Sequence, residues 1–92
     1  MKLLRPTTQF KKDYKRYKRF PSKVKALKEV LEMLQNEEQL PEKYYAHPLH
    51  GKYKGCIECY IESDYLLIWI DQENNIIDLI RLGSHSELFK NK

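Results

Sequence analysis

The sequence predicts an α+β fold. An N-terminal strand and a helical hairpin pack on an antiparallel sheet in the order β-α-α-β-β-β, and a short C-terminal helical turn closes the chain. Three observations carry this. Apolar residues recur every three or four positions between Phe10 and Leu34, the helical period. After Gly55 the period changes to two, the period of a strand. The chain has 92 residues, 41% of them hydrophobic, which suits one domain with one core.

Lys2 to Arg5 is short and reads as an edge strand that Pro6 ends. Thr7 or Thr8 can cap the first helix. From Gln9 to Arg19, Phe10, Tyr14 and Tyr17 fall on one stripe, and basic side chains cover the remaining surface. Phe20-Pro21-Ser22 interrupts, with Ser22 the expected cap of a second helix from about Lys23 to Asn36. There Val24, Leu27, Leu31 and Leu34 repeat at three and four, and so short a break should fold the two helices into a hairpin. Residues 37–46 lack periodicity and read as an ordered loop, and H-P-L-H-G at 47–51 reads as a turn.

In the first strand after Gly55, Ile57, Cys59 and Ile61 point one way, and Glu58, Tyr60 and Glu62 the other. Ser63-Asp64 is a tight turn. Tyr65 to Ile70 is apolar on both faces, as a central strand must be. Asp71 to Asn75 is a hairpin loop, and Ile76 to Leu82 a third strand, so the three make an antiparallel meander. Ser84 or Ser86 can cap a final turn through Leu88 and Phe89.

No apolar run approaches the ~20 residues that span a bilayer. After Met1 to Pro6 come two threonines and a basic run, where a signal peptide needs an apolar segment. The expectation is a cytoplasmic protein with no membrane partner. Cys56 and Cys59 resemble half a zinc site, but no second pair exists, and residues three apart on a strand face opposite ways. Charge is uneven. The net charge is +4, yet residues 1–28 hold eleven Lys and Arg against one acid. Such a cluster suits a polyanion or an acidic partner, and equally a solvated helix face.

Three histidines are the natural acids and bases for chemistry near neutral pH. A meander can bring His47 and His85 to one rim, with Asp64 nearby. Arg81 shares strand parity with Ile77 and Leu79. It is read either as a phosphate ligand or as an ion-pair partner of Glu58, Glu62 or Asp78. Lys52 and Lys54 flank Tyr53, a pattern that suits single-stranded RNA or an ordinary sheet edge.

Three stretches then act together: H-P-L-H-G-K-Y-K-G at 47–55, E-C-Y-I-E-S-D-Y-L-L-I-W at 58–69 and R-L-G-S-H-S-E-L-F at 81–89. In this order and spacing they closely resemble the YafQ branch of the RelE/ParE toxin superfamily, over essentially the second half of the chain. The basic, aromatic helical hairpin fits the first half more loosely. The resemblance implies a RelE-like fold and the toxin of a bacterial type II toxin–antitoxin pair. It implies a ribosome-dependent endoribonuclease that cuts mRNA in the A site by attack of the 2′-hydroxyl and loss of the 5′-oxygen. Such toxins need no metal, so no cofactor is expected. A cognate antitoxin silences them, and operator DNA is met only through the antitoxin complex.

Carried over by position, the family's site falls on His47, Asp64, His85, Arg81 and Phe89. Asp64 or His47 would take the 2′-hydroxyl proton, and His85 would protonate the leaving oxygen. Arg81, with Lys52 or Lys54, would stabilise the phosphorane, and Phe89 would stack on a base. Two positions depart. Tyr60 stands where histidine is common; with an ordinary pKa of about 10 it is a poor base but a competent hydrogen-bond donor. Tyr65, expected to contact RNA, replaces a frequent tryptophan. The Tyr60 departure supports a second reading, a catalytically weak or inactive module of the same fold that binds antitoxin or ribosome and acts as a translation inhibitor or operon co-repressor. The paired histidines argue against a ParE-like gyrase poison.

Overall fold

In a computed structural model that describes residues 1–89, the elements run β1 (Leu3–Pro6), α1 (Thr8–Tyr17), α2 (Pro21–Gln35), β2 (His47–Pro48), β3 (Ile57–Glu62), β4 (Tyr65–Gln72), β5 (Ile76–Gly83) and α3 (His85–Leu88). Single 3₁₀ turns at Glu42–Tyr44 and Gly51–Tyr53 flank β2. The five strands form one sheet in the order β1-β5-β4-β3-β2. Among the described residues no helix is long and apolar enough to cross a membrane.

The sheet is mixed where the sequence predicts an antiparallel one. β1 lies parallel to β5, with Leu3 opposite Ile76 and Pro6 opposite Leu79. The meander β3-β4-β5 is antiparallel as its short loops require. The direction of β1 follows from its distant partner, which local periodicity does not report. Pro6, with no N–H to offer, helps keep this open edge from recruiting another strand.

The helices form at the predicted places for partly different reasons. Thr7 caps α1, its side chain accepting from the Phe10 amide at 3.1 Å. Helix α2 begins earlier than expected: Pro21 takes the first position and Ser22 lies inside the helix. Proline fits there because its fixed φ is helical and its missing N–H would have had no partner. Phe10, Leu27 and Val30 press onto the sheet face made by Cys59, Tyr65, Leu67, Trp69, Ile77, Leu79 and Leu82. The opposite face buries Cys56, Leu66 and Ile68 under Leu88 of α3. β4 is therefore covered on both sides, as its composition predicts. The two cysteines are free and buried, and each belongs to the core on its own face of the sheet.

A β-bulge shapes the end of β5. Arg81 opposes Ile68 but Leu79 opposes Trp69, so Ile80 is the extra residue. Leu82 then joins Ile77 and Leu79 in the helix-side core, and the parity that sequence assigns to Arg81 is lost. β1 has already ended, so this stretch of β5 has an open edge. Asp13 of α1 fills it, accepting from the Leu82 amide at 2.9 Å and from Arg81 Nε at 2.7 Å. Beyond it Gly83, at φ +153°, leaves room for α3: a Cβ there would sit 2.5 Å from Glu87 Oε1.

Candidate active site

The site is built on one turn, one strand and the start of α3. The turn between β3 and β4 holds Asp64 in left-handed backbone, φ +52°. This conformation is tolerated better by aspartate than by most residues. It aims the carboxylate at the start of α3. Oδ1 accepts from the His85 backbone N–H at 2.8 Å and lies 3.3 Å from His85 Nδ1. Helix α3 is fixed by a capping box in which Ser84 and Glu87 satisfy each other's backbone amides. His85 is thus held by its own backbone, with its side chain half exposed.

With Nδ1 turned to Asp64, the other ring nitrogen of His85, Nε2, is turned to Tyr60. The Tyr60 hydroxyl lies 3.3 Å from it. Asp64, Nδ1, Nε2 and the phenol form a line in which a carboxylate orients an imidazole, as a histidine acid or base requires. The His85 amide, opposed by slight burial and helped by the His85 ring, holds the Asp64 carboxyl below its ordinary value. Burial, together with the Glu58, Tyr45 and Asp64 neighbours, pushes the Tyr60 phenol up, so it stays a donor at neutral pH.

His47 is placed differently. Its Nδ1 lies 2.7 Å from the Tyr45 carbonyl and its Nε2 2.9 Å from Glu58 Oε1. Both ring nitrogens are thus engaged by acceptors within the protein, and neither is turned toward substrate. Glu58, which sequence places on one face with Tyr60 and Glu62, is only 2% exposed, with His47 of β2 opposite it in the sheet.

Two other predicted residues need correction. Arg81 is not a free cation. It pairs with none of Glu58, Glu62 or Asp78 but with Asp13, through Nε and at 3.2 Å through Nη2, and its Nη1 reaches the Tyr53 hydroxyl at 3.2 Å. Asp78 is taken by Arg5. Tyr65, expected to stack on RNA, is 1% exposed. Its ring packs on Tyr17 at 4.9 Å with Lys23 Nζ 4.8 Å away, so no base can reach it.

Phe89 does face solvent, edge-on to Tyr53 at 5.6 Å and 5.7 Å from His85. Lys52 Nζ lies 5.5 Å from the Tyr53 ring, and Lys54 is exposed beside it. Sequence reasoning missed Asp13, and it offered Glu58 as a partner of Arg81 rather than of His47. Asp13 did leave a signal: it is the single acid among eleven bases in residues 1–28.

A sequence model described as the bacterial toxin of type II toxin–antitoxin systems, YafQ, matches residues 2–90. The chain belongs to the YafQ toxin family. It is 32% identical over 82 residues to the mRNA interferase toxin YafQ of Escherichia coli K12, covering 88% of each chain. Solved structures agree. A toxin of Helicobacter pylori determined with bound metal is 38% identical, with a TM-score of 0.87 over 97% of this chain and 100% of that one. The YafQ of the E. coli DinJ–YafQ complex is 29% identical, with a TM-score of 0.83 over 97% and 99%. Among the described residues of the present YafQ-family chain, no three His, Cys, Asp or Glu side chains are grouped to hold a metal ion.

Proposed function

We propose that this YafQ-family toxin is an endoribonuclease that cuts mRNA on the ribosome, with His85 as its central proton-transfer residue. The observation that carries this is the line Asp64–His85–Tyr60, open to solvent at Asp64 and His85. The name of the E. coli relative, an mRNA interferase, supports the same reaction class.

The 2′-oxygen attacks the adjacent phosphorus and the 5′-oxygen leaves. This gives a 2′,3′-cyclic phosphate and a 5′-hydroxyl. His85 delivers the proton to the 5′-oxygen from Nε2, while Asp64 fixes the ring and stabilises the imidazolium. The 2′-hydroxyl proton passes to Asp64, since His47 has no free nitrogen. Tyr60 gives up its bond to Nε2 when RNA enters and donates instead to a non-bridging phosphate oxygen. Lys52 and Lys54 supply the positive charge, and Arg81 acts by holding Tyr53 behind Phe89.

The test is a short pulse of expression in a bacterial host with mRNA 5′ ends mapped. In-frame cuts inside translated codons, with cyclic phosphates on the upstream fragments, are expected. Growth arrest without new ends would support the second reading, a non-catalytic translation inhibitor.

The DinJ–YafQ structure supports a protein antitoxin as partner. Between α1 and α2 runs a groove of about 560 Å³. Phe10, Leu27 and Leu31 line its apolar part, and Lys11, Lys18 and Lys28 its rim. Its occupant is an acidic amphipathic segment of the antitoxin, whose apolar stripe covers the floor and whose carboxylates meet the lysines. Replacing Lys11 and Lys18 together by Glu should weaken antitoxin binding at least about ten-fold and slow association most, while mRNA cleavage persists. Calorimetric titration and an association-rate measurement check this.

A further inference from the structure

We propose that Tyr45 is a base-stacking residue, holding an unpaired RNA base on the side of the cleavage centre opposite Phe89. This rests on the assignment of the site to RNA cleavage above and extends its substrate contacts beyond the reacting phosphate.

Tyr45 is 65% exposed, a large aromatic in full view of solvent. Yet it is held in place. It sits in left-handed backbone, φ +49°, at the end of the 3₁₀ turn Glu42–Tyr44, where a bulky residue is unfavourable. The turn is pinned because Tyr44 is buried in the core. The Tyr45 carbonyl meets His47 Nδ1 at 2.7 Å, and its ring lies on the His47 ring at 4.6 Å. The fold therefore fixes an exposed ring at a strained position where its packing buries little of it.

That ring ends a continuous row. Tyr45 lies 6.0 Å from Tyr60, and His47 6.3 Å from Tyr60. Tyr60 lies 5.6 Å from His85, His85 5.7 Å from Phe89, and Phe89 5.6 Å from Tyr53. His85 stands in the middle. Phe89 and Tyr53 extend the row one way, and Tyr60, His47 and Tyr45 the other. Rings spaced in this way suit an extended single strand whose bases each find a π-face, a mode that tolerates sequence. A duplex, with its bases already stacked on each other, cannot use it. The ligand class is single-stranded RNA with unpaired bases on both sides of the cut.

The probe is a set of short mRNAs, each carrying 5-iodouridine at one position, bound on programmed ribosomes, irradiated with the intact protein and mapped by mass spectrometry. Adducts at Tyr45 from one nucleotide, and at Phe89 or Tyr53 from another on the far side of the cut, are expected. Tyr45→Ala should raise KM for cleavage about five- to a hundred-fold, the worth of one stacked base, with kcat nearly unchanged, and Tyr45→Phe should restore it. Adducts at Phe89, Tyr53 or Tyr60 with none at Tyr45 overturn the proposal and leave the cleavage site standing. A loss confined to kcat in Tyr45→Ala also overturns it, because that would mean the ring only positions His47. No adduct anywhere along the row overturns both this inference and the RNA site.

Discussion

Asp13→Ala should lower the stability of the fold by about 3–5 kcal/mol, a large share of what so small a domain holds. The Asp13 side chain is wholly buried and bonds Arg81 twice, the Leu82 amide, Arg16 and Gln9. Removing one partner of a buried ion pair typically costs ~3–5 kcal/mol, because the other charge is left buried and unpaired. Small domains hold only about 5–15 kcal/mol in total. The loss also reopens the edge of β5 where the bulge ends and α3 begins. Urea unfolding followed by far-UV circular dichroism measures this. Arg16→Ala is the control: its side chain is 46% exposed, so its loss should cost under about 1 kcal/mol. A stability for Asp13→Ala within about 1 kcal/mol of wild type would show that the edge is not held through Asp13.

The same residue sets a direction for acid sensitivity. Burial alone would raise the Asp13 pKa, but Arg81, the Leu82 amide, Arg16 and Gln9 outweigh it and leave the carboxyl below its ordinary value. A carboxyl depressed in the folded state contributes stability that is fully present above its unfolded value, about 3.9 for aspartate, and lost as pH falls through the lower folded value. Asp64, Asp78 and Glu87 are lowered too, so they add to the loss in the same sense. Stability should be flat in these groups near neutrality and fall steeply below about pH 4.

The fold was largely legible because its signals are local. The stripe Phe10, Tyr14, Tyr17 reports a helix through its own spacing, and the doubly apolar Tyr65 to Ile70 reports a central strand. What escaped depends on contacts distant in sequence. Leu3 to Pro6 reads as a strand, yet nothing in those residues says that its partner is Ile76 to Leu79 or that the pairing is parallel. The bulge at Ile80 shifts parity by one, so extrapolation from Ile77 and Leu79 misplaced Arg81. Tyr65 is the more instructive case. Its own neighbourhood predicts burial, and the resemblance to an RNA-contacting family position predicts exposure. The neighbourhood was the better guide. For His47 the residue was placed at the site's rim, but its pairing with Glu58 could not be read, because the pair forms only when two strand residues come opposite each other. Asp64 and His85, 21 residues apart, meet because a tight turn and a helix cap lie at the same end of one hairpin pair.

His85→Ala should lower the rate of mRNA cleavage by about 10²–10⁴-fold, the usual worth of a positioned acid, and leave KM close to wild type. The fold should survive. The side chain is half exposed, and the bond from the His85 backbone to Asp64 does not need the ring. Tyr60→Phe should cost much less, about ten-fold, since it removes one donor to phosphate and leaves the acid in place. Asp64→Asn separates the two duties of the carboxylate. An amide oxygen can still accept the His85 backbone N–H, but it neither stabilises an imidazolium nor takes a proton, so kcat should fall nearly as far as in His85→Ala. Because Asp64 also orients the His85 ring and stabilises its imidazolium, part of each loss is shared, and the double variant should fall short of the product of the two single losses. Single-turnover cleavage on programmed ribosomes measures all four. Independent, multiplying losses would mean that Asp64 works apart from His85. Unchanged cleavage in His85→Ala would move the acid to another group, and Tyr60, the only other hydroxyl or imidazole bonded to Nε2 among the described residues, would be the next to remove.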